Sequence, residues 1–168
     1  MSIEGPLDVP TKLAPFNPTA DDAIDLVLSL AQLRGGDVLV DLGCGDARVL
    51  IAAAESCAGL SCSGFEFDGA IAARAVSNLS RARESVAARI AIHHADACGA
   101  EATAALERAT IVFVYLVPSG LARVKGLLEG VLARGGRVVS NMFSVPGWTP
   151  LETRSARGCK VYLYYGGT

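Results

Sequence analysis

The chain has 168 residues, of which 51% are hydrophobic and 19% charged, with a formal net charge of −2 and a pI of about 5.7. This length suits one domain with a sizeable core, and no uncharged apolar run approaches the roughly 18 residues that a membrane-spanning helix needs. The slightly acidic balance argues against a nucleic-acid backbone as the partner.

The first 34 residues are expected to form an extended arm followed by a helix. Residues 1–18 hold four of the seven prolines and are predicted to precede a single domain over residues 19–168. A helix is predicted over residues 19–34, with Thr19 as its N-cap and acids in its first turn. Because the N-terminus carries acids and prolines rather than a basic leader, we expect a cytoplasmic protein.

Apolar segments then alternate with helical segments along the chain. Strands are predicted over residues 37–42, 61–67, 89–94, 110–116 and 136–143, and helices over residues 47–56, 69–84, 100–108 and 119–134. This alternation indicates βαβ units and a mostly parallel sheet covered by helices on both faces. The tail WTPLETRSARGCKVYLYYGG has two strand-like stretches around the turn ARG and no room for a helix between them. We therefore expect the sheet to end in a reversed strand.

Two groups of side chains argue for an ordinary structural role. The five cysteines form no close CxxC pair and no cluster with histidine, so we expect no metal site and small buried side chains in a reducing compartment. Arg74, Arg81, Arg83 and Arg89 lie close together in the sequence. We expect these arginines to lie on the solvated face of a helix rather than to form a site for nucleic acid.

The segment VDLGCGDARV runs from a predicted strand through a glycine-rich turn into a helix. Dinucleotide folds carry GxGxxG here, and the third glycine lets the helix pack close to the pyrophosphate. In this chain Arg48 takes the third position, and Asp46 places a negative charge where a pyrophosphate would lie. S-adenosyl-L-methionine has no phosphate, and it needs the close backbone approach that Gly43 and Gly45 allow. Asp41 then suits its cationic amino acid end.

Two further acids lie at the ends of the next two predicted strands. Glu66 in GFEFD is placed to accept hydrogen bonds from ribose hydroxyls, and Asp96 in HHADA to receive the adenine amino group. Because adjacent parallel strands end at one crevice, Asp41 is expected to line the same site. Each acid alone could instead cap the helix that follows it, but the three together with the glycine turn favour the cofactor.

These motifs, together with GRVVSN, resemble those of the class I S-adenosylmethionine-dependent methyltransferases over residues 19–168. The resemblance implies an α/β, Rossmann-like class I methyltransferase fold. Its sheet would be seven-stranded and mostly parallel, with an antiparallel strand in the C-terminal hairpin. The resemblance also assigns S-adenosyl-L-methionine to residues at the ends of the first three strands: Asp41, Leu42, Gly43, Cys44, Gly45, Glu66, Phe67, Asp96 and Ala97.

The methyl acceptor is addressed by a narrower resemblance. The fourth strand carries VYLVPSG, where methyltransferases of exocyclic base or amide nitrogens often carry an Asn/Asp-Pro-Pro-aromatic tetrad. Three segments instead resemble the small protein-lysine methyltransferases that modify ATP synthase subunit c and the adenine nucleotide translocase. They are PFNPTADDAIDLVLSLAQLRGG, YLVPSG and GRVVSNMFSVPGW. The second of these segments, YLVPSG, matches the family pattern. In the first segment Ala20 replaces a proline, and in the third Asn141 replaces a histidine. This resemblance implies a protein lysine as acceptor and adds the mitochondrion as a second compartment.

A lysine acceptor makes a specific chemical demand on the site. The ordinary pKa of lysine is about 10.4, so the site must deprotonate or desolvate the amine and align it. Tyr115, where the fourth strand meets the crevice, is our candidate for orienting the amine, and Asn141 is a second one. Tyr115 could instead stack on the cofactor or on the core.

Two other functions stay open at the level of the sequence. One is methylation of a small metabolite, against which the lack of insertions over the crevice argues because small substrates usually need a lid. The other is a domain of the same fold that binds the cofactor or a partner protein without catalysis.

Overall fold

The computed structural model describes residues 12–166, which form six helices and seven strands. In chain order these are α1 (Asp21–Ala31), β1 (Val38–Leu42), α2 (Arg48–Ser56), β2 (Ser61–Glu66), α3 (Gly69–Ser80), α4 (Glu84–Ala87), β3 (Ile90–His94), α5 (Ala100–Leu106), β4 (Ile111–Val114), α6 (Pro118–Ala133), β5 (Arg137–Asn141), β6 (Glu152–Ala156) and β7 (Cys159–Tyr165). Every predicted strand is present close to its expected position. Residues 1–11 of the predicted arm lie outside the described residues.

The seven strands form one sheet in the order β3-β2-β1-β4-β5-β7-β6. The first five strands of this order pair in parallel, and β7 pairs antiparallel with both β5 and β6. The α/β class I methyltransferase fold expected from the sequence is therefore confirmed. One detail differs, because the reversed strand lies inside the sheet and β6 forms the edge. A short hairpin can only place β6 beside β7, so β6 runs in the same direction as β5.

The sheet separates two hydrophobic clusters. Neighbouring residues on a strand point to opposite faces, and Leu39 and Val40 of β1 accordingly belong to different clusters. Helices α1 and α2 cover the cluster of Leu39, whereas α5 and α6 cover the cluster of Val40. Burial on both faces explains why the central strands are almost wholly apolar.

Several helix ends follow from local chemistry. Helix α3 begins where the Asp68 carboxylate accepts hydrogen bonds from the backbone N–H groups of Ala70 and Ile71. Pro118 opens α6 at an early position, since a proline there loses no intrahelical hydrogen bond. The predicted helix over residues 69–84 is interrupted, because α3 stops at Ser80 and the short α4 starts at Glu84.

Two expectations about single residues were wrong. Thr19 does not cap α1, because the N-cap is Ala20, which makes no side-chain cap, and Thr19 is buried. Arg89 is not part of a solvated face: its guanidinium donates to the carbonyl oxygens of Ala54, Cys57 and Leu60 at 2.5–3.1 Å. It thereby ties the end of α2 to the start of β2. None of the helices within residues 12–166 has the length and hydropathy needed to cross a membrane.

Candidate active site

A pocket opens at the carboxyl ends of β1 and β4, where the direction of strand order reverses and ligands of open α/β sheets bind. Its empty space is about 730 Å³, counted to include the open mouth. Asp41, Glu66, Asp96 and Tyr115 all line it, so the structure brings together residues that are up to 74 positions apart in the sequence. Convergence at this edge follows from the parallel pairing of the strands.

The glycine turn after β1 is folded back towards β2. Gly43 and Gly45 have φ angles of +82° and +56°, a region that favours glycine. The backbone N–H groups of Gly43 and Cys44 both donate to the carbonyl oxygen of Phe65, at 2.8 and 3.0 Å. A Cβ on Gly45 would lie 3.0 Å from the ring of Phe16. Gly43 and Gly45 therefore present bare backbone to the pocket.

Glu66 is held in a fixed orientation by two backbone hydrogen bonds. Its Oε2 accepts from the N–H of Gly45 at 3.0 Å, and its Oε1 accepts from the N–H of Asp68 at 2.9 Å. An ionised carboxylate has about four acceptor positions, so each oxygen can still accept one hydrogen bond from a ligand. This arrangement suits a pair of neighbouring hydroxyls, such as those of a ribose.

Asp41 is the least satisfied polar group of the pocket. Its side chain is buried, and within residues 12–166 its Oδ1 has no hydrogen-bond partner. Burial, and then the nearby charge of Glu66, raise the pKa of Asp41 well above its ordinary value. Since an unpaired buried carboxylate is costly, the site is suited to a ligand that brings positive charge. S-adenosylmethionine carries such charge on its sulfonium and its ammonium group, and the residues present fit it.

Three more predicted residues lie at the opposite end of the pocket. The Oδ1 of Asp96 accepts a hydrogen bond from the N–H of Cys98 at 2.8 Å, which fixes the loop after β3. Phe67 and Ala97 line the pocket beside it, and the Phe67 ring is 40% exposed. An apolar slot with one acid at its rim is the environment expected for an adenine ring.

The last two predicted cofactor residues differ in what they present. Cys44 lines the pocket, and burial raises the pKa of its thiol, so the thiol stays protonated at neutral pH. The Leu42 side chain lies in the cluster of Val40, away from the pocket, so only its backbone can contribute. Within residues 12–166, no three His, Cys, Asp or Glu side chains are arranged to hold a metal ion.

Asp46 presents less negative charge at the turn than the sequence predicted. Arg48, two positions later, holds its carboxylate with both Nε and Nη2, at 2.7–3.2 Å. The hydrogen bonds from Arg48 are the main reason why the pKa of Asp46 is lowered. The repulsion that we expected between Asp46 and a pyrophosphate is therefore largely cancelled, and the case against a dinucleotide must come from the missing third glycine.

The two candidates for orienting the acceptor lie in different places. Tyr115 lines the pocket, and its hydroxyl oxygen accepts a hydrogen bond from Asn17 Nδ2 at 2.9 Å. Asn141 is 1% exposed, and its Oδ1 accepts from the thiol of Cys159 at 3.0 Å. The structure brings Tyr115 to the cofactor residues but leaves Asn141 beneath the surface, outside the lining of the pocket.

Residues 12–19, which we call the strap, cross the mouth of the pocket before α1 begins. The strap packs so closely on α6 that a Cβ on Gly120 would collide with the carbonyl oxygen of Leu13. Phe16 lies against the glycine turn and beneath the guanidinium of Arg74, 5.5 Å from its ring centre. Arg48 Nη1 donates to the carbonyl oxygen of Thr19 at 3.3 Å.

The strap is the part of the site that sequence reasoning missed. Its prolines predicted an extended arm but not the surface on which the arm lies. One usable signal was its place in the chain, since it leads directly into α1, whose first turn lies near the glycine turn. Asp21 of that first turn is close enough to Arg48 for their charges to interact.

The fold and this pocket define a class I S-adenosylmethionine-dependent methyltransferase. Comparison with known proteins then narrows the assignment: a family model described as the ANTKMT methyltransferase domain matches residues 41–152. The chain belongs to this family of methyltransferases, and its cofactor is S-adenosyl-L-methionine.

Three relatives illustrate the similarity. A protein-lysine N-methyltransferase of Saccharolobus islandicus is 29% identical over 157 residues, covering 91% of this chain and 94% of the relative. The adenine nucleotide translocase lysine N-methyltransferase of Mus musculus is 31% identical over 157 residues, covering 93% of this chain and 65% of the relative. A crystal structure of an RNA methyltransferase from Salinibacter ruber with bound S-adenosyl-L-homocysteine has a TM-score of 0.77 and 31% identity, covering 89% and 93% of the two chains.

Proposed function

We propose that this methyltransferase N-methylates the side-chain amine of lysine in a protein substrate. One observation carries the proposal: the pocket that holds Asp41 and Glu66 also contains the hydrogen-bonded pair of Tyr115 and Asn17. A hydroxyl and a primary amide supply neutral hydrogen-bond acceptors, which an amine nucleophile needs for its N–H groups. The names of the Saccharolobus and mouse relatives give independent support.

The residues divide into those that hold the cofactor and those that face the acceptor. Asp41 and the glycine turn would hold the amino acid end, Glu66 the ribose, and Asp96 with Phe67 the adenine. When bound, S-adenosylmethionine supplies an electrophilic methyl group whose bond to sulfur breaks as the bond to nitrogen forms, the electron pair staying on sulfur. The acceptor must approach from the side of Tyr115.

The acceptor side works by desolvation and alignment rather than through a dedicated base. Tyr115 and Asn17 offer a hydroxyl and a primary amide rather than a carboxylate, so they favour the neutral amine over the ammonium form in a partly buried site. Once the nitrogen is methylated it carries a positive charge, and its extra proton leaves to water at the open mouth of the pocket. Positioning of this kind can supply much of the rate acceleration of a bimolecular transfer.

RNA methylation is the second candidate, because the Salinibacter ruber neighbour is described as an RNA methyltransferase. The charges near the pocket favour the protein acceptor. Lys12 is paired with Asp68 at 3.5 Å, Arg48 with Asp46 at 2.7 Å, and the surface Arg157 with Asp22 at 2.7 Å. Cations that already hold a carboxylate are poor ligands for phosphate groups, on which the affinity of RNA-binding proteins largely depends.

One structural feature supports methylation of a small molecule as an alternative. The sequence argued against it because no insertion over the crevice was visible, but the strap of residues 12–19 does cover part of the pocket. A partial cover fits a long, flexible lysine side chain as well as a small substrate, so the acceptor class has to be tested directly.

The test offers all three acceptor classes in one series. Purified protein is incubated with S-[methyl-³H]adenosylmethionine and, separately, a soluble protein extract, total RNA or the small-molecule fraction of that extract. We expect tritium in the protein fraction, recovered as methyllysine after acid hydrolysis, and none with Glu66→Ala, which loses the ribose contact. Label confined to RNA or to small molecules would overturn the lysine proposal in favour of that class.

A further inference from the structure

The strap places one side chain at the acceptor end of the pocket, and this is Asn17. Its Nδ2 donates to the Tyr115 hydroxyl at 2.9 Å although the two residues are 98 positions apart. Within residues 12–166 the amide carbonyl oxygen of Asn17 makes no further hydrogen bond. Both residues line the pocket.

The position of Asn17 is fixed by its neighbours in the strap. Pro18 restricts the preceding residue to extended backbone, which directs the strap across the mouth instead of into a helix. Phe16 lies on the glycine turn, where a Cβ on Gly45 would be 3.0 Å from its ring. On the other side, Arg48 holds the carbonyl oxygen of Thr19. Asn17 is thus held between two anchored residues, and it is exposed to solvent while it lines the pocket.

The hydrogen bond between Asn17 and Tyr115 leaves acceptor groups free on both side chains, and this suits an amine. Because Asn17 Nδ2 donates to the Tyr115 oxygen, that oxygen keeps one lone pair, and the Asn17 carbonyl oxygen keeps two. A neutral primary amine has two N–H groups to donate and one lone pair for attack. Two convergent acceptors can therefore bind both N–H groups and leave the lone pair free to align with the reacting methyl carbon.

We propose that Asn17 is a positioning residue for the methyl acceptor. It fixes the Tyr115 hydroxyl and supplies the second acceptor for the N–H groups of the incoming amine. This inference rests on the proposed amine acceptor and extends it, because the acceptor subsite is assembled from the strap and from the end of β4. Neither segment alone contains the whole subsite.

The test compares Asn17→Ala, Tyr115→Phe and the double variant, with methyllysine formation in a soluble protein extract as the assay. We expect Asn17→Ala to lower kcat about 10- to 100-fold, as loss of a hydrogen bond that aligns the reacting group does. Affinity for S-adenosylhomocysteine and the unfolding temperature should stay close to wild type. The double variant should be only slightly slower than the poorer single variant, because the two residues act as one unit.

A second variant gives a signature that a structural role would not produce. Asn17→Asp keeps the shape and can accept from the Tyr115 O–H, but it adds a negative charge beside the amine. That charge favours the ammonium form of the bound amine, so the acidic limb of the pH profile of kcat, which reports ionisations in the enzyme–substrate complex, should move to higher pH by about one unit. Lys12→Ala is the matched control, since it breaks another strap contact, to Asp68, and leaves Tyr115 untouched.

The outcomes separate this inference from the proposed function. Wild-type transfer to lysine with an unimpaired Asn17→Ala variant would overturn the role of Asn17 alone. Equal losses in Asn17→Ala and Lys12→Ala would also overturn it, because the effect would then come from loosening the strap. A wild-type protein that transfers methyl groups to no lysine would overturn both proposals.

Discussion

Asp41 combines a cost in folding with a purpose in binding. It is 2% exposed, its Oδ1 lacks a hydrogen-bond partner within residues 12–166, and burial raises its pKa well above the ordinary value in the absence of a ligand. Strained or poorly satisfied groups persist where a ligand compensates for them. A cationic cofactor is such a ligand, because it favours the ionised form that burial penalises.

Replacing Asp41 by Asn should therefore separate binding from stability. We expect Asp41→Asn to weaken the binding of S-adenosylmethionine about 10- to 100-fold, since a hydrogen bond to a charged group contributes about 1.5–3 kcal/mol. The ligand-free variant should unfold at a higher temperature than wild type. A carboxyl group with a raised folded pKa stabilises the fold at low pH and loses that contribution as pH rises from 3.8 through the folded pKa. The stability gap should thus widen with pH.

Calorimetric titration and thermal unfolding between pH 5 and pH 8.5 measure both effects. In wild type, affinity should rise with pH as Asp41 ionises, whereas the Asn variant should lack this component. Asp25→Asn, an exposed acid of α1, is the control and should match wild type in both measurements. Equal affinity of wild type and Asp41→Asn would remove Asp41 from the cofactor site.

The single residues that the sequence revealed are those whose role depends on a local motif. Asp41, Glu66 and Asp96 lie at or just beyond the carboxyl ends of their strands, and parallel strands end on one side of the sheet, so their meeting in one pocket could be expected. Asn17 could not be found in this way, because its partner lies 98 positions away and the contact depends on the path of the strap. Asn141 is also the last residue of its strand, but its side chain turns towards Cys159 rather than the crevice.

Helix ends were harder to predict than strands for a physical reason. A buried strand is marked by its apolar run, whereas a helix end depends on one hydrogen bond or on one turn. Thr19 has a residue type that favours N-caps, yet tertiary packing buries it and the helix begins after Ala20. The break after Ser80 has no proline or glycine to mark it in the sequence.

The connection from β5 to β6 is a ten-residue segment without a helix. One aromatic residue of β7 contacts it. Tyr164 of β7 is buried, and its hydroxyl accepts a hydrogen bond from the backbone N–H of Val145 at 2.9 Å. Trp148, in the same segment, packs edge-on against the Tyr164 ring at 5.3 Å. The two ends of the segment donate backbone hydrogen bonds to β7, from Met142 to Lys160 and from Leu151 to Leu163. Its middle is held against the sheet through the Tyr164 side chain.

Tyr164→Phe should loosen this connection without leaving a cavity. The variant leaves the buried N–H of Val145 without its acceptor, and an unsatisfied buried donor costs about 1–3 kcal/mol. Urea unfolding should show a lower midpoint with an unchanged slope. Tyr165→Phe, one position along and 46% exposed, is the control and should change the free energy of unfolding very little. Equal effects of the two variants would contradict the role given to the hydroxyl.

The carboxyl and amino ends of the strands have different roles in the molecule as a whole. The carboxyl ends of the strands hold the cofactor pocket, whereas the amino ends are tied together by a buried ion pair between Arg137 and Asp37 at 2.5 Å. Asp37 precedes β1 and also accepts from the hydroxyl of Thr110, which precedes β4. Arg137 further donates to the carbonyl oxygens of Ala31 and Gln32 at the end of α1. One network thus joins β1, β4, β5 and α1 far from the chemistry.

This network should be the largest single polar contribution to stability. Arg137→Met would leave the buried Asp37 carboxylate without its cationic partner, and breaking a buried ion pair in this way costs about 3–5 kcal/mol. Burial alone would raise the pKa of Asp37, but the hydrogen bonds from Arg137, Thr110 and the Arg34 backbone outweigh it and lower the pKa. In wild type the carboxylate therefore stabilises the fold above pH 3.8, and this contribution is lost as pH falls through the folded pKa.

Removing the arginine reverses that pH dependence. Without Arg137, burial should raise the pKa of Asp37, so the variant is most impaired at neutral pH and recovers part of the difference near pH 4.5, where the folded carboxyl binds a proton. Urea unfolding at both pH values measures this, with Arg154→Met in the partly exposed Arg154–Glu152 pair as the control. Because the pocket lies at the other edge of the sheet, folded Arg137→Met should keep the wild-type affinity for S-adenosylhomocysteine. A loss of stability that is the same at both pH values would show that Asp37 is not the group left unpaired.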